Sequence, residues 1–86
     1  MIKGKLKSGF EFEIPEESIN SMELLDTIVE MESNPLAVSK VVKMLLGDDQ
    51  RRRLYDHLRT EKGNVPVTAV SDAVAEIFQA SQEVKN

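Results

Sequence analysis

One histidine and no cysteine stand among the 86 residues, so the side chains that most often attack, coordinate or relay protons are nearly missing. A Cys–His nucleophile pair and a thiolate zinc site are both impossible with that inventory. His57 lies one turn from Leu54 and beside Leu58, which makes it a half-buried helix residue rather than a general base. No serine occupies the strained Gly-x-Ser-x-Gly turn that exposes a nucleophile. The paired carboxylates Glu16/Glu17 and Asp48/Asp49 fall at expected helix starts, where negative charge complements the dipole. The glycines are scattered, so no loop is built to cradle phosphate. The sequence assigns no catalytic, cofactor-binding or metal-binding residue, and the chain reads as a binding protein, not an enzyme.

Two features suit the binding of another macromolecule. Arg52, Tyr55, Arg59 and Lys62 fall at i, i+3, i+7 and i+10 of an expected helix, a basic stripe carrying one ring. Such a stripe can seat an acidic helix or a nucleic-acid strand. The surrounding Arg51-Arg52-Arg53 run is otherwise a solvated helix start, with Asp48–Arg52 and Asp49–Arg53 at the favourable acid-before-base spacing. The second feature is apolar. Val74, Ile77 and Phe78, with Val84 beyond them, would form a wall for an amphipathic helix wherever they extend past the domain's own core. Met22, Met31 and Met44 add adaptable thioethers, most of them as core filler.

The elements that position these residues follow from period and punctuation. Lys3, Lys5 and Lys7 alternate with smaller or apolar residues, then Phe10, Phe12 and Ile14 alternate with Glu11 and Glu13. That pattern predicts a β-hairpin over residues 2–14 turning at Ser8-Gly9, lysines of one strand facing glutamates of the other. A lone hairpin is marginal in water, so its Leu6/Phe10/Phe12/Ile14 face packs on helices. Asn20-Ser21-Met22-Glu23 resembles a capping box and opens a helix over 20–32 with Met22, Leu25, Ile28 and Val29 on one side. Asn34-Pro35 restarts the chain into a strongly apolar central helix over 35–46, closed by Gly47 as a left-handed cap. Asp48 or Asp49 begins a third helix over 48–62 that ends at Gly63. Pro66 opens a fourth over 66–81, and residues 82–86 form a frayed tail. The fold class is α+β and mainly α: a two-stranded antiparallel hairpin followed by a compact bundle of about four short helices, one domain over residues 1–86.

Bulk properties bound the setting. The net charge of −4 argues against a general nucleic-acid binder, because phosphate contacts need clustered positive charge. The sign is unevenly spread: four acids and no base lie between Ser21 and Asn34, against five bases and four acids between Asp48 and Lys62. A protein partner is therefore expected in preference to nucleic acid. No apolar run approaches the roughly 18 residues that span a bilayer, and the amino end leads into alternation, not a signal core. A cytoplasmic protein with no membrane partner is expected.

Several segments, taken in order, resemble one family. They are Gly9-Phe10-Glu11-Phe12-Glu13-Ile14, Asn20-Ser21-Met22-Glu23-Leu24-Leu25-Asp26, Leu45-Leu46-Gly47-Asp48-Asp49-Gln50, Leu54-Tyr55-Asp56-His57-Leu58-Arg59 and Gly63-Asn64-Val65-Pro66. Together, over roughly Gly4 to Phe78, they resemble the short tail assembly chaperones of long-tailed bacteriophages and prophages, those of Gram-positive hosts in particular. The resemblance implies a protein that binds the long helical tape measure protein, keeps it soluble, helps recruit tail-tube subunits and then leaves, working as a homo-oligomer in the host cytoplasm without catalytic residues or cofactor. It supplies no site motif, so the candidates Arg52, Tyr55, Arg59, Lys62, Val74, Ile77 and Phe78 rest on physics alone. In many such phages a longer form arises by frameshifting near the end of the short one, and Lys85-Asn86 is a pair that an A-rich slippery heptamer can encode.

Two other functions fit less of the chain. A small phage-encoded DNA-binding regulator would use the helices joined at Gly47-Asp48 as a helix-turn-helix, with Arg51, Arg52 and Arg53 opening the recognition helix. The acidic total and the lack of an Asn/Gln/Ser-rich reading face count against it. A virion tail-completion or adaptor protein would persist in finished particles, where a chaperone would not.

Overall fold

In the computed structural model, which describes the backbone of residues 1–84 and the side chains of residues 1–81, the chain begins with a hairpin of strands β1 (Ile2–Lys5) and β2 (Glu11–Ile14). The strands pair antiparallel in the register Ile2↔Ile14, Lys3↔Glu13, Gly4↔Phe12 and Lys5↔Glu11, so lysines do face glutamates across the outer surface. The inner face buries Ile2, Leu6, Phe10, Phe12 and Ile14. Gly4 is required by close approach: a Cβ there would sit 2.6 Å from Cζ of Phe12, whose ring lies across the first strand.

Among the described residues four helices follow: α1 (Glu16–Ile19), α2 (Met22–Ser33), α3 (Ala37–Leu58) and α4 (Val67–Val84). The first is a single turn in the segment between the expected hairpin over 2–14 and the expected helix over 20–32, to which the sequence pattern assigns no helix. Pro15 precedes it, Glu16 and Glu17 occupy its first turn, and Ile19 anchors it in the core. Ser21 then caps α2, its Oγ accepting the Leu24 N–H at 3.3 Å, while Glu23 bonds Ser21 Oγ instead of closing a full capping box. At the next restart Asn34 Oδ1 accepts the Leu36 N–H at 3.2 Å, and regular helix begins at Ala37.

Gly47 does more than close a helix. Its φ of 76° and ψ of 175° place it where only glycine is comfortable, and helical geometry resumes at the next residue. The left-handed cap expected there is therefore a one-residue break, and α3 has two arms, 37–46 and 48–58. The first arm is the central element and buries Ala37, Val38, Val41, Val42, Leu45 and Leu46. The second buries only Leu54 and is tied to the hairpin by polar contacts. The side-chain amide of Gln50 donates to the Glu13 carbonyl at 2.6 Å and accepts the Glu13 N–H at 2.8 Å, as a neighbouring strand would. His57 Nε2 lies 2.9 Å from the Ser8 carbonyl in the hairpin turn, its ring tilted against Phe10. His57 thus stays at the surface and orders the turn.

The second arm of α3 stops at Leu58, four residues before the end at 62 expected from the sequence. Thr60 donates twice to Asn64, its backbone N–H to the carbonyl at 2.8 Å and its hydroxyl to Oδ1 at 2.8 Å, and this local turn replaces the helix's last turn. In contrast, α4 continues as helix to Val84, through residues expected to fray. The remainder of that tail, Lys85-Asn86, lies outside the described residues.

The core is one contiguous cluster that joins Ile2 and Phe12 of the hairpin to Leu24, Val41, Leu45, Leu54, Val74 and Ile77 of the helices. Among the described residues two polar side chains are buried, Thr27 and Ser81, and each donates to the carbonyl four residues back in its own helix. Among the described residues no helix is long and apolar enough to cross a membrane.

Candidate functional site

Helix α2 carries more apolar surface than the core covers. Leu24 and Thr27 are buried, and Ile28 and Met31 pack half-buried against the core. Met22, Leu25 and Val29, at i, i+3 and i+7, point the other way and are 65%, 38% and 67% exposed. These three fall within an arc of about 60° on the helix. The side on which the sequence gathers Met22, Leu25, Ile28 and Val29 is therefore largely the wet side. Apolar pattern shows which residues share a face, not which of two apolar faces the fold covers. Leu36, in the following turn, is exposed as well.

Beside this stripe lies a cleft of about 390 Å3 between α2 and α4, lined by Ile28, Met31 and Glu32 on one side and Val74, Ala75, Phe78 and Gln79 on the other. It exists because α2 and α4 both pack chiefly on α3 and only sparsely on each other. Ile28 is one turn from Leu25, so the stripe meets the groove there, while Glu32, one turn from Val29, sets a carboxylate on the groove wall. Met31 in the wall and Met22 on the stripe place flexible thioethers where an incoming side chain would press. Larger clefts open beside the hairpin, but Lys3, Lys5, Glu11, Glu13 and Arg53 line them, and they lack this apolar character.

The candidates read from sequence distribute unevenly over this surface. Phe78 is half-buried and forms part of the groove wall, as its position on α4 suggests. Val74 and Ile77 need correction: at 1% and 0% exposure they belong to the core, because with Val70 and Ala73 they form the side of α4 turned inward. Val74 reaches only the groove floor. The side chain of Val84 lies outside the described residues.

The basic stripe also needs correction. With α3 ending at Leu58, Arg59 and Lys62 leave the helix, and the i, i+3, i+7, i+10 spacing no longer lines them up with Arg52 and Tyr55. Arg59 is held locally, Nη2 at 3.1 Å from Asp56 and Nη1 donating to the Gly63 carbonyl at 2.9 Å. The arginine over Tyr55 is Arg51, 5.8 Å from the ring centroid and paired with Asp48 at 3.2 Å. Asp48 thus takes Arg51 at i+3, not Arg52 at i+4. Arg52 and Lys62 are exposed at separate places. A one-residue break at Gly47 also differs from the turn of about three to four residues in a helix-turn-helix.

Among the described residues no cluster of three or more His, Asp or Glu side chains is placed to hold a metal ion. Nor does any of the four acids on α2 form an ion pair there. The arrangement supports one kind of chemistry well, the burial of an apolar partner against a rim of carboxylates. Comparison with protein-family models, curated proteins and solved structures finds no match to this chain.

Proposed function

We propose that this chain is a binding chaperone for an amphipathic helical client and works without catalysis or cofactor. One observation carries the proposal: α2 leaves Met22, Leu25 and Val29 in water beside an apolar groove whose wall includes Phe78. Scattered exposed apolar residues are ordinary, but a stripe at helical spacing continuous with a cleft is the form of a helix-in-groove site.

The ordered sequence resemblance supplies the client. In the proposed reading the chain is a phage tail assembly chaperone acting in the bacterial host cytoplasm. It covers apolar stripes of the tape measure protein, so that this long helical protein stays dispersed until tail-tube subunits assemble around it. Coverage of a long client needs many copies, hence self-association along it. Neither nucleic acid nor membrane enters this cycle.

Co-expression with a phage tape measure protein is the test. The expected result is a shift of the client into the soluble fraction with co-purification of the small chain. An unchanged, insoluble client would overturn the proposal.

A further inference from the structure

The charge around the α2 stripe narrows the choice of client helix. On the helix, Asp26 lies about 40° beyond Met22 on one side of the stripe, and Glu32 about 20° beyond Leu25 on the other. Glu23 and Glu30 follow Asp26 around the same side, and no lysine or arginine lies between Ser21 and Asn34. All four carboxylates are exposed, and none is neutralised by an ion pair among the described residues. The apolar stripe is thus bordered by carboxylates on both flanks, with Lys40 of α3 lining the cleft beside Glu23, Asp26 and Glu30 and no base lining the groove on the Glu32 side.

We infer that the occupant of this surface is an amphipathic helix whose apolar face is flanked by lysine or arginine. The inference rests on the helix-binding function proposed above and deepens it by naming the chemistry of the bound helix. A client helix laid along Met22, Leu25 and Val29 brings its flanking side chains over Asp26 and Glu32. Acidic flanks would meet like charge, and basic flanks would gain two or more contacts. A second copy of this chain docking through its own α2 would set Asp26, Glu30 and Glu32 against their own kind, so the site is not self-complementary.

Each exposed pair contributes about two- to fivefold in affinity, so two give a basic helix about tenfold over a neutral one. Screening at high salt removes most of that margin, because the pairs are solvent-exposed.

Three synthetic helices with one leucine face and flanks of lysine, glutamine or glutamate provide the test, by fluorescence anisotropy on the full chain with methyl NMR mapping. The expected order is lysine tightest by about tenfold, glutamate weakest, the gap closing at high salt, with shifts at Met22, Leu25 and Val29. The double variant Asp26→Lys/Glu32→Lys, changed only at exposed positions, should reverse the order. Equal affinity of the lysine and glutamine helices, with shifts on α2, would overturn the basic-flank inference and leave helix binding standing. Failure of all three to bind would overturn helix binding itself. Shifts confined to other surfaces, or α2 methyls already shielded in a dimer of the free chain, would also overturn the inference.

Discussion

Replacing Val29 by serine separates binding from folding. Val29 is 67% exposed, so folding already recovers only about a third of its transfer free energy. Full burial of a valine is worth about 1.5–3 kcal/mol, which leaves roughly 1–2 kcal/mol available only when a client helix covers it. The Val29→Ser chain should therefore bind a leucine-faced, lysine-flanked helix about five- to thirtyfold more weakly. Its unfolding free energy should stay within about 0.5 kcal/mol of the parent, because an exposed substitution on a capped helix removes little packing. Val74→Ala is the opposite case. Val74 is 1% exposed, and its truncation leaves a cavity in the core, costing about 2 kcal/mol of stability. Anisotropy titrations for binding and urea unfolding for stability, run on both variants, give the comparison. Parental affinity in Val29→Ser would refute the assignment of the stripe as the contact surface. A stability loss above about 1 kcal/mol would show that Val29 is more integral to the fold than its exposure implies.

Three further outcomes follow from the packing. Gly4→Ala should lose about 1–2 kcal/mol, since its Cβ would meet the Phe12 ring at 2.6 Å, and combining it with Phe12→Leu should remove most of the conflict, read as coupling in urea unfolding. Gln50→Ala should cost about 1–2 kcal/mol and speed hydrogen exchange at the Glu13 amide, because two backbone bonds to Glu13 disappear together. Gly47→Ala should destabilise by about 1–3 kcal/mol despite alanine's greater helix propensity, as φ of 76° with extended ψ is strained for any side chain; a gain in thermal stability would contradict the break in α3.

The residues differ in how openly they announce their positions. Alternation at Phe10, Phe12 and Ile14 and the lysine–glutamate register are local, and the hairpin follows them. The proline and polar signals at Asn34-Pro35 and Pro66 mark restarts close to where helices begin. Less visible is anything that depends on competition. Arg59 to Lys62 are acceptable helix residues, yet the Thr60–Asn64 bonds take the chain out of the helix earlier. Gln50 looks like a surface helix residue, and only tertiary placement shows its amide completing a strand edge. The same holds for the site. Helix α2 has two neighbouring apolar arcs, Leu24/Ile28/Met31 and Met22/Leu25/Val29, and hydropathy alone weighs them nearly equally. Val74, Ile77 and Phe78 form one apolar run in sequence, but a rotation of about 100° per residue sends only Phe78 to the groove wall. The choice between two apolar arcs hides the stripe on α2, and angular resolution hides the one on α4.

The hairpin's dependence on the far end of the chain has a consequence for synthesis. The Lys7 N–H bonds Glu76 at 2.6 Å, and Ile2 and Phe12 share their packing with Val74 and Ile77. Strands β1 and β2 must therefore wait for α4, which follows them by more than fifty residues, before their aromatic face is enclosed. On the ribosome, Phe10 and Phe12 would stay only partly covered, by α3, until α4 has emerged, and a product truncated ahead of Glu76 would be adhesive in its own right.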